Sequence, residues 1–293
     1  MIQLIGPRTH NYPFLSHIIN GPLDSDKLDY LLRDAYHVGL KYSFDLDNFL
    51  RWYVVLGEEE NLEHCVLGLE NTKQAVVTAE LFLVIWKSMY ELVYFAEQSR
   101  IAEKMLEKAF LLREDDQAIK GMFDIDNYVK GNDESMLSQL KKMGNDVVQL
   151  LAAENPKLLY SKKLEVELTA KKPNVKLTKN NFRMTSRFLA ELENQPDELS
   201  DQLSLRLAEE LRQEKYSLIC DIIKSKAPKK IYLDNSGTSE SEIELSTKSD
   251  IVGELKAKNL LKIYVAPTIL KKIDYTHMSG TVKKLVEEER GDD

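Results

Sequence analysis

The sequence predicts a mostly α protein, with a helical first part over residues 1–155 and a smaller α+β part over residues 156–293. Three patterns carry this expectation. Leu81, Val84, Ile85, Met89, Leu92, Val93 and Ala96 recur at helical steps, as one buried helix face does. Leu28, Leu31, Leu32 and Ala35 form a second such face earlier in the chain. From Leu159 the pattern changes, and Leu159-Tyr-Ser-Lys-Lys-Leu-Glu-Val-Glu-Leu168 alternates apolar and charged residues like a half-exposed strand.

The elements follow in chain order. A short helix is expected over Tyr12–Ile19, ended by the Gly21-Pro22 break. The next helix spans Ser25–Val38, with Asp24 as its N-cap after the Gly-Pro turn. A further helix covers Leu46–Leu56, Gly57-Glu-Glu-Glu60 turns the chain, and Leu62–Glu70 reads as a short strand pair. The longest helical signal runs from Asn71 to Leu112, beyond the usual globular length. Its stripe slips between Ala96 and the next large apolar residue, Ile101, so either a break near Ser99–Arg100 or close packing on both faces is expected. Asp124-Ile-Asp-Asn127 caps a helix starting at Tyr128, and Glu134–Leu151 continues the helical pattern.

In the second part, Lys171-Lys-Pro173 and Lys179-Asn-Asn181 are loop-like. Pro196–Ile223 reads as one amphipathic helix. Lys230–Asp234 and Ile243–Leu245 read as strands around the polar loop Asn235–Ser241. Ile251–Leu260 is expected to be a short helix, Leu261–Val265 a strand and Thr281–Glu289 a closing helix, with an acidic tail that frays.

Charge and composition narrow the functional classes. A net charge of -8 argues against broad nucleic-acid binding, which needs basic surface. No apolar run is long enough to span a bilayer, and no secretion signal is legible at the N-terminus. Cys65 and Cys220 are too few and too far apart for a disulfide framework or zinc site, so a reducing cytoplasm is the expected compartment. The paired lysines Lys141-Lys142, Lys162-Lys163, Lys171-Lys172 and Lys229-Lys230 read as solvated surface. Neither a Gly-x-Ser-x-Gly element nor a phosphate-binding loop is present.

The densest chemistry lies in Gly21-Pro-Leu-Asp-Ser-Asp-Lys-Leu-Asp-Tyr-Leu-Leu-Arg-Asp-Ala-Tyr-His-Val-Gly39. On a helix, Asp26, Tyr30 and Asp34 fall at i, i+4 and i+8 and share one face, while the leucines bury another. Lys27 sets a cation beside the Asp26 carboxylate. An Asp-Lys pair on a surface helix is ordinarily solvated. Here it belongs to a long ordered run of polar and aromatic residues that apolar packing does not require.

That run resembles the HD-domain phosphohydrolases, in particular the branch related to deoxynucleoside triphosphate triphosphohydrolases, whose stretch reads close to "G-x-L-D-A-D-R-L-D-Y-L-L-R-D-S-Y-x-x-G". The resemblance implies a helical HD-type core, present in part, and metal-dependent phosphohydrolysis of nucleotides or phosphate esters. It implies that Asp26 is a metal ligand, the last aspartate of a His…His-Asp…Asp set, and that Lys27 contacts substrate phosphate. Tyr30 and Asp34 would then face the sugar or the phosphates. Met89-Tyr-Glu-Leu-Val-Tyr-Phe95 resembles the family's "M-Y-x-x-V-Y-F-H", which implies that Tyr94 bounds the nucleotide pocket.

The chain departs from the family at several places. Ala96 stands where the family has His, and Trp86 stands where it has an Arg that reaches phosphate. An indole cannot make a guanidinium's bidentate hydrogen bonds. The family's early His and His-Asp dipeptide lie upstream of the matching stretch. Here His10 and His17 precede Asp26, and neither they nor His37, His64 and His277 are followed by Asp. A transition-metal site needs three or four ligands. The expected cofactor, a divalent Mn, Ni, Mg or Fe ion, would therefore be held only in part by this chain. The implied partners are a nucleotide or phosphate-ester substrate and either further copies of this chain or an HD-bearing partner chain. The alternative is a non-catalytic interaction or regulatory protein that kept the fold.

Overall fold

The computed structural model describes residues 13–57, 64–112, 117–122, 124–142, 160–169, 181–237 and 241–287. Several expectations lie outside the described residues: the start of the first helix at Tyr12, most of the Gly57–Glu60 turn, the 143–151 stretch of helix, the boundary at residue 155, the Lys171–Pro173 loop and the tail after Glu287.

In chain order the helices are α1 (Pro13–Asn20), α2 (Ser25–His37), α3 (Leu46–Leu50), α4 (Lys73–Met89), α5 (Glu97–Leu111), α6 (Gln117–Met122), α7 (Ile125–Lys130), α8 (Asp133–Lys142), α9 (Ser186–Asn194), α10 (Pro196–Glu210), α11 (Leu245–Lys248), α12 (Asp250–Glu254) and α13 (Tyr275–Glu287). The strands are β1 (Tyr53–Leu56), β2 (Val66–Leu69), β3 (Ser161–Thr169), β4 (Asn181–Arg183), β5 (Leu218–Lys224), β6 (Tyr232–Asp234), β7 (Glu242–Glu244) and β8 (Asn259–Val265). The protein is mostly α with a smaller sheet-containing portion, as the sequence predicts. Short side chains set many helix starts. Asp24, Asp45, Thr72, Thr185 and Ser249 each accept the backbone N–H three residues on.

The chain forms two compact units. The first comprises Met1–Tyr94 and Lys226–Ala257. Its sheet has the order β1-β2-β6-β7. The β1–β2 and β6–β7 pairs are antiparallel, and β2 runs parallel to β6 with Leu69 opposite Leu233. Its core joins Leu28, Leu31 and Ala35 of α2, Phe82, Ile85 and Met89 of α4, and Leu69 and Leu233 of the sheet. Phe49 stacks on Phe82 with ring centroids 6.1 Å apart.

The second unit comprises Phe95–Ser225 and Lys258–Asp293. Its sheet has the order β4-β3-β8-β5, and β8 pairs antiparallel with both β3 and β5. One face of this sheet packs on α9, α10 and α13 through Phe188, Leu192, Leu199, Leu203, Leu207, Met278 and Val282. Ile219 and Tyr264 on the other face meet Ile101, Met105 and Ala109 of α5. Strand β5 is one edge of the sheet, and helix α10 bonds to its middle. The Ser200 hydroxyl donates to the Cys220 carbonyl at 2.6 Å, and the Cys220 N–H donates to the Ser204 hydroxyl at 2.9 Å. Two serines thus take the backbone bonds that Cys220, mid-strand, would offer an incoming strand.

Four sequence expectations are corrected. Pro196–Ile223 is a helix only to Glu210, after which Leu218–Lys224 is a strand. The run Leu-Ile-Cys-Asp-Ile-Ile is buried on both faces, and periodicity cannot separate such a strand from a buried helix. Leu46–Leu56 is helix α3 followed by strand β1. The end of the expected Ile251–Leu260 helix is the start of β8. The long helical stretch breaks at Phe95–Ala96, ahead of the expected Ser99–Arg100, after a π-helical turn over Tyr90–Tyr94.

Candidate functional site

The turn before α2 fixes where the site helix begins. A Cβ on Gly21 would lie 2.2 Å from the His17 carbonyl oxygen, so only glycine fits this approach. The Tyr53 hydroxyl donates to the Leu23 carbonyl at 2.7 Å. Asp24, nearly fully buried, accepts the Lys27 backbone N–H at 2.8 Å and starts the helix. At the far end, Gly39 adopts φ +78° and the Leu40 N–H donates to the Ala35 carbonyl at 2.9 Å, which stops the helix after His37.

Between these ends, the face predicted from spacing divides by depth. Asp26 is exposed on the first turn, where a carboxylate is favoured by the helix dipole. Lys27 is half-buried, with its ammonium paired to Asp24 and donating to the Gly21 carbonyl at 3.0 Å. Tyr30 and Asp34 are half-buried further along.

Tyr94 meets these residues from sixty positions away. Its hydroxyl donates to Asp34 Oδ2 at 2.8 Å, and its ring stands edge-on to Tyr30 with centroids 6.2 Å apart. The π-helical turn contributes to this meeting. Winding from i to i+5 adds a residue to the turn and rotates the residues after it about the helix axis. Such turns occur frequently at functional sites.

Tyr90 is a residue that sequence reasoning missed. Its ring lies 5.1 Å from Tyr94 and 5.2 Å from Trp86. Burial, followed by the nearby Tyr90 hydroxyl, raises the Tyr30 pKa. Burial, followed by the bond to Asp34, raises the Tyr94 pKa as well. The one available signal was the spacing of Trp86, Tyr90 and Tyr94, which puts three large rings on one helical stripe. Trp86 itself is buried against Tyr90.

Asp26, Lys27, Tyr30, Asp34 and Tyr94 therefore belong to one compact unit, but among the described residues Asp26 is not joined to a second metal-type ligand. Among the described residues no group of three or more His, Cys, Asp or Glu could hold a metal ion. The described residues thus do not fit a closed metal centre. Elsewhere, a cleft of about 700 Å³ lined by Met122, Asn127, Lys130, Asn132, Ser135 and Met136 contains none of the predicted site residues. No helix among the described residues is long and apolar enough to cross a membrane.

Residues 66–273 match the family described as the HD associated region. The chain belongs to the HD-associated-region family. Tyr90 and Tyr94 lie inside the matched span, whereas α2 precedes it. A 113-residue stretch of this HD-associated region chain is 34% identical to the uncharacterized protein MJ1154 of Methanocaldococcus jannaschii, covering 38% of this chain and 24% of that protein. A 154-residue stretch is 25% identical to the deoxynucleoside triphosphate triphosphohydrolase SAMHD1 of Homo sapiens, covering 52% of this chain and 24% of that protein. The chain thus spans about a quarter of the length of these curated relatives. A crystal structure of a hypothetical protein from Aquifex aeolicus shares the fold, with a TM-score of 0.59 and 24% identity over 89% of this chain and 58% of that one.

Proposed function

We propose that this chain supplies the substrate-facing helix of an HD-type, metal-dependent phosphohydrolase that acts on nucleotides. The observation that carries the proposal is the meeting of Asp34 and Tyr94 beside Tyr30, on the helix face that begins with Asp26 and Lys27.

The protons of this cluster give it a direction. Tyr94 spends its proton on Asp34, and Tyr30 stands half-buried beside that pair. What remains on that pair for a ligand is lone pairs of the Tyr94 oxygen and of the Asp34 carboxylate. Such a surface accepts hydrogen bonds from hydroxyls, as on a sugar, and repels phosphate. Lys27 lies seven residues earlier on the same helix, about 10 Å along its axis. Its charge suits a phosphate, as does that of Arg33, which is exposed on the same helix and paired with Asp29. A nucleotide would thus lie along α2, with its sugar toward Asp34 and its phosphates toward Lys27. In hydrolysis a water oxygen bonds to phosphorus and the ester oxygen leaves with a proton. A cation at Lys27 would offset the charge that gathers on the non-bridging oxygens. Asp26 is the residue of this chain that the family resemblance assigns to the metal, and an HD-bearing segment or partner chain would supply the histidines.

The test is phosphate release from a panel of deoxynucleoside triphosphates and phosphomonoesters with Mn²⁺, Ni²⁺ or Mg²⁺. The chain is assayed alone and mixed with an HD-bearing polypeptide. Release is expected in the mixture, cut on the order of 100-fold by Asp26→Ala or Lys27→Met. Release by the mixture no greater than by the partner alone, together with none by the chain alone, would reject the proposal.

A further inference from the structure

We propose that Asp24 is the positioning residue of this site, acting through Lys27; the inference rests on the phosphohydrolase proposal. In the sequence Asp24 is an ordinary N-cap, a role that Ser, Thr or Asn would fill as well. The structure gives it a second task. One carboxylate oxygen accepts the Lys27 backbone N–H at 2.8 Å, and the other pairs with the ammonium of the same lysine. The Gly21 carbonyl takes a second ammonium hydrogen at 3.0 Å.

The ammonium has three N–H donors. Two are held, and the third has no partner among the described residues. Both anchors are themselves fixed. Asp24 is only 3% exposed, and the Gly21 backbone is locked against His17. The lysine side chain is 22% exposed, so it is restrained but reachable from solvent.

A free lysine on the first turn of a helix would sample many rotamers and lose that freedom on gripping a ligand. Here the ordering is completed during folding. One N–H is left over, its place set by Asp24 and the Gly21 carbonyl, for an oxygen of a phosphate to accept. A Ser or Thr cap would start the same helix and leave the ammonium held by the Gly21 carbonyl alone.

Asp24→Asn separates the two tasks, because Asn still caps but carries no charge to hold the ammonium. Two readouts are needed on wild type, Asp24→Asn and Lys27→Met. The first is the rate at which Lys27 is acylated by a small amine-reactive reagent, followed by peptide mass spectrometry beside exposed lysines as internal standards. The second is calorimetric binding of inorganic tripolyphosphate. In Asp24→Asn, Lys27 labelling is expected to rise several-fold as the side chain is released. Tripolyphosphate affinity is expected to fall about tenfold, with thermal stability near wild type because the cap persists. Unchanged Lys27 labelling overturns the positioning role whatever the anion does. Faster labelling with unchanged tripolyphosphate affinity overturns it too, since the held geometry would then serve only the fold. A wild-type chain that binds no tripolyphosphate counts against the phosphohydrolase proposal instead, and the labelling arm still decides whether Asp24 holds Lys27.

Discussion

The bond between Tyr94 and Asp34 is where the candidate site depends on tertiary structure, and a double-mutant cycle measures it. Tyr94→Phe keeps the ring and its edge-on packing on Tyr30 while removing the hydroxyl that donates to Asp34 at 2.8 Å. A hydrogen bond to a charged group contributes about 1.5–3 kcal/mol. Both residues are half-buried, so water competes for each partner and the lower end applies, about 1.5 kcal/mol. Such a loss lowers the melting temperature of a unit this size by roughly 3–6 °C. Urea and thermal unfolding of wild type, Tyr94→Phe, Asp34→Ala and the double variant then give the coupling. The expected interaction energy is about 1 kcal/mol. If the two single losses add to within about 0.3 kcal/mol, the residues do not interact in solution and the argument for an assembled site fails.

Three further outcomes are expected. Asp221 is wholly buried in the second unit, where it accepts two bonds from Arg100 and one from Tyr264. Asp221→Ala leaves the guanidinium to its exposed partner Glu103 and should cost about 3 kcal/mol in urea unfolding, and a loss under about 1 kcal/mol would show that water already reaches the pair. His17 is held neutral, its pKa lowered first by burial and then by Lys229, while its Nδ1 accepts from the Leu67 N–H. As pH falls below about 6.5 the unfolded chain takes up that proton first, so stability should decline there; His17→Gln should flatten the slope, and an unchanged profile would assign it to other groups. Gly21→Ala forces a methyl against the His17 carbonyl and should destabilise by about 1–3 kcal/mol, so a wild-type melting temperature would contradict the close approach.

Local chemistry makes much of this protein legible in its sequence. The Asp24 cap, the Gly-Pro turn and the leucines of α2 depend on neighbours within a few residues, and that helix forms close to where it is predicted. Strand β3 shows its alternation because one of its faces is buried and the other is not. Strand β5 is hidden for the opposite reason. With both faces covered, its apolar run carries no period, and Asp221 inside that run is the one sign of a buried ion pair.

The identity and order of the site residues on α2, and the mostly α class of the chain, were determined by the sequence alone. Tertiary structure decided their company. Whether Tyr94 reaches Asp34 depends on a π-helical turn and on how α2 and α4 share a core, as Leu31, Ala35, Phe82 and Met89 show. The parallel pairing of β2 with β6 is likewise set by packing. Contacts between residues far apart in sequence are fixed by the summed burial of many side chains, and no local pattern encodes that sum.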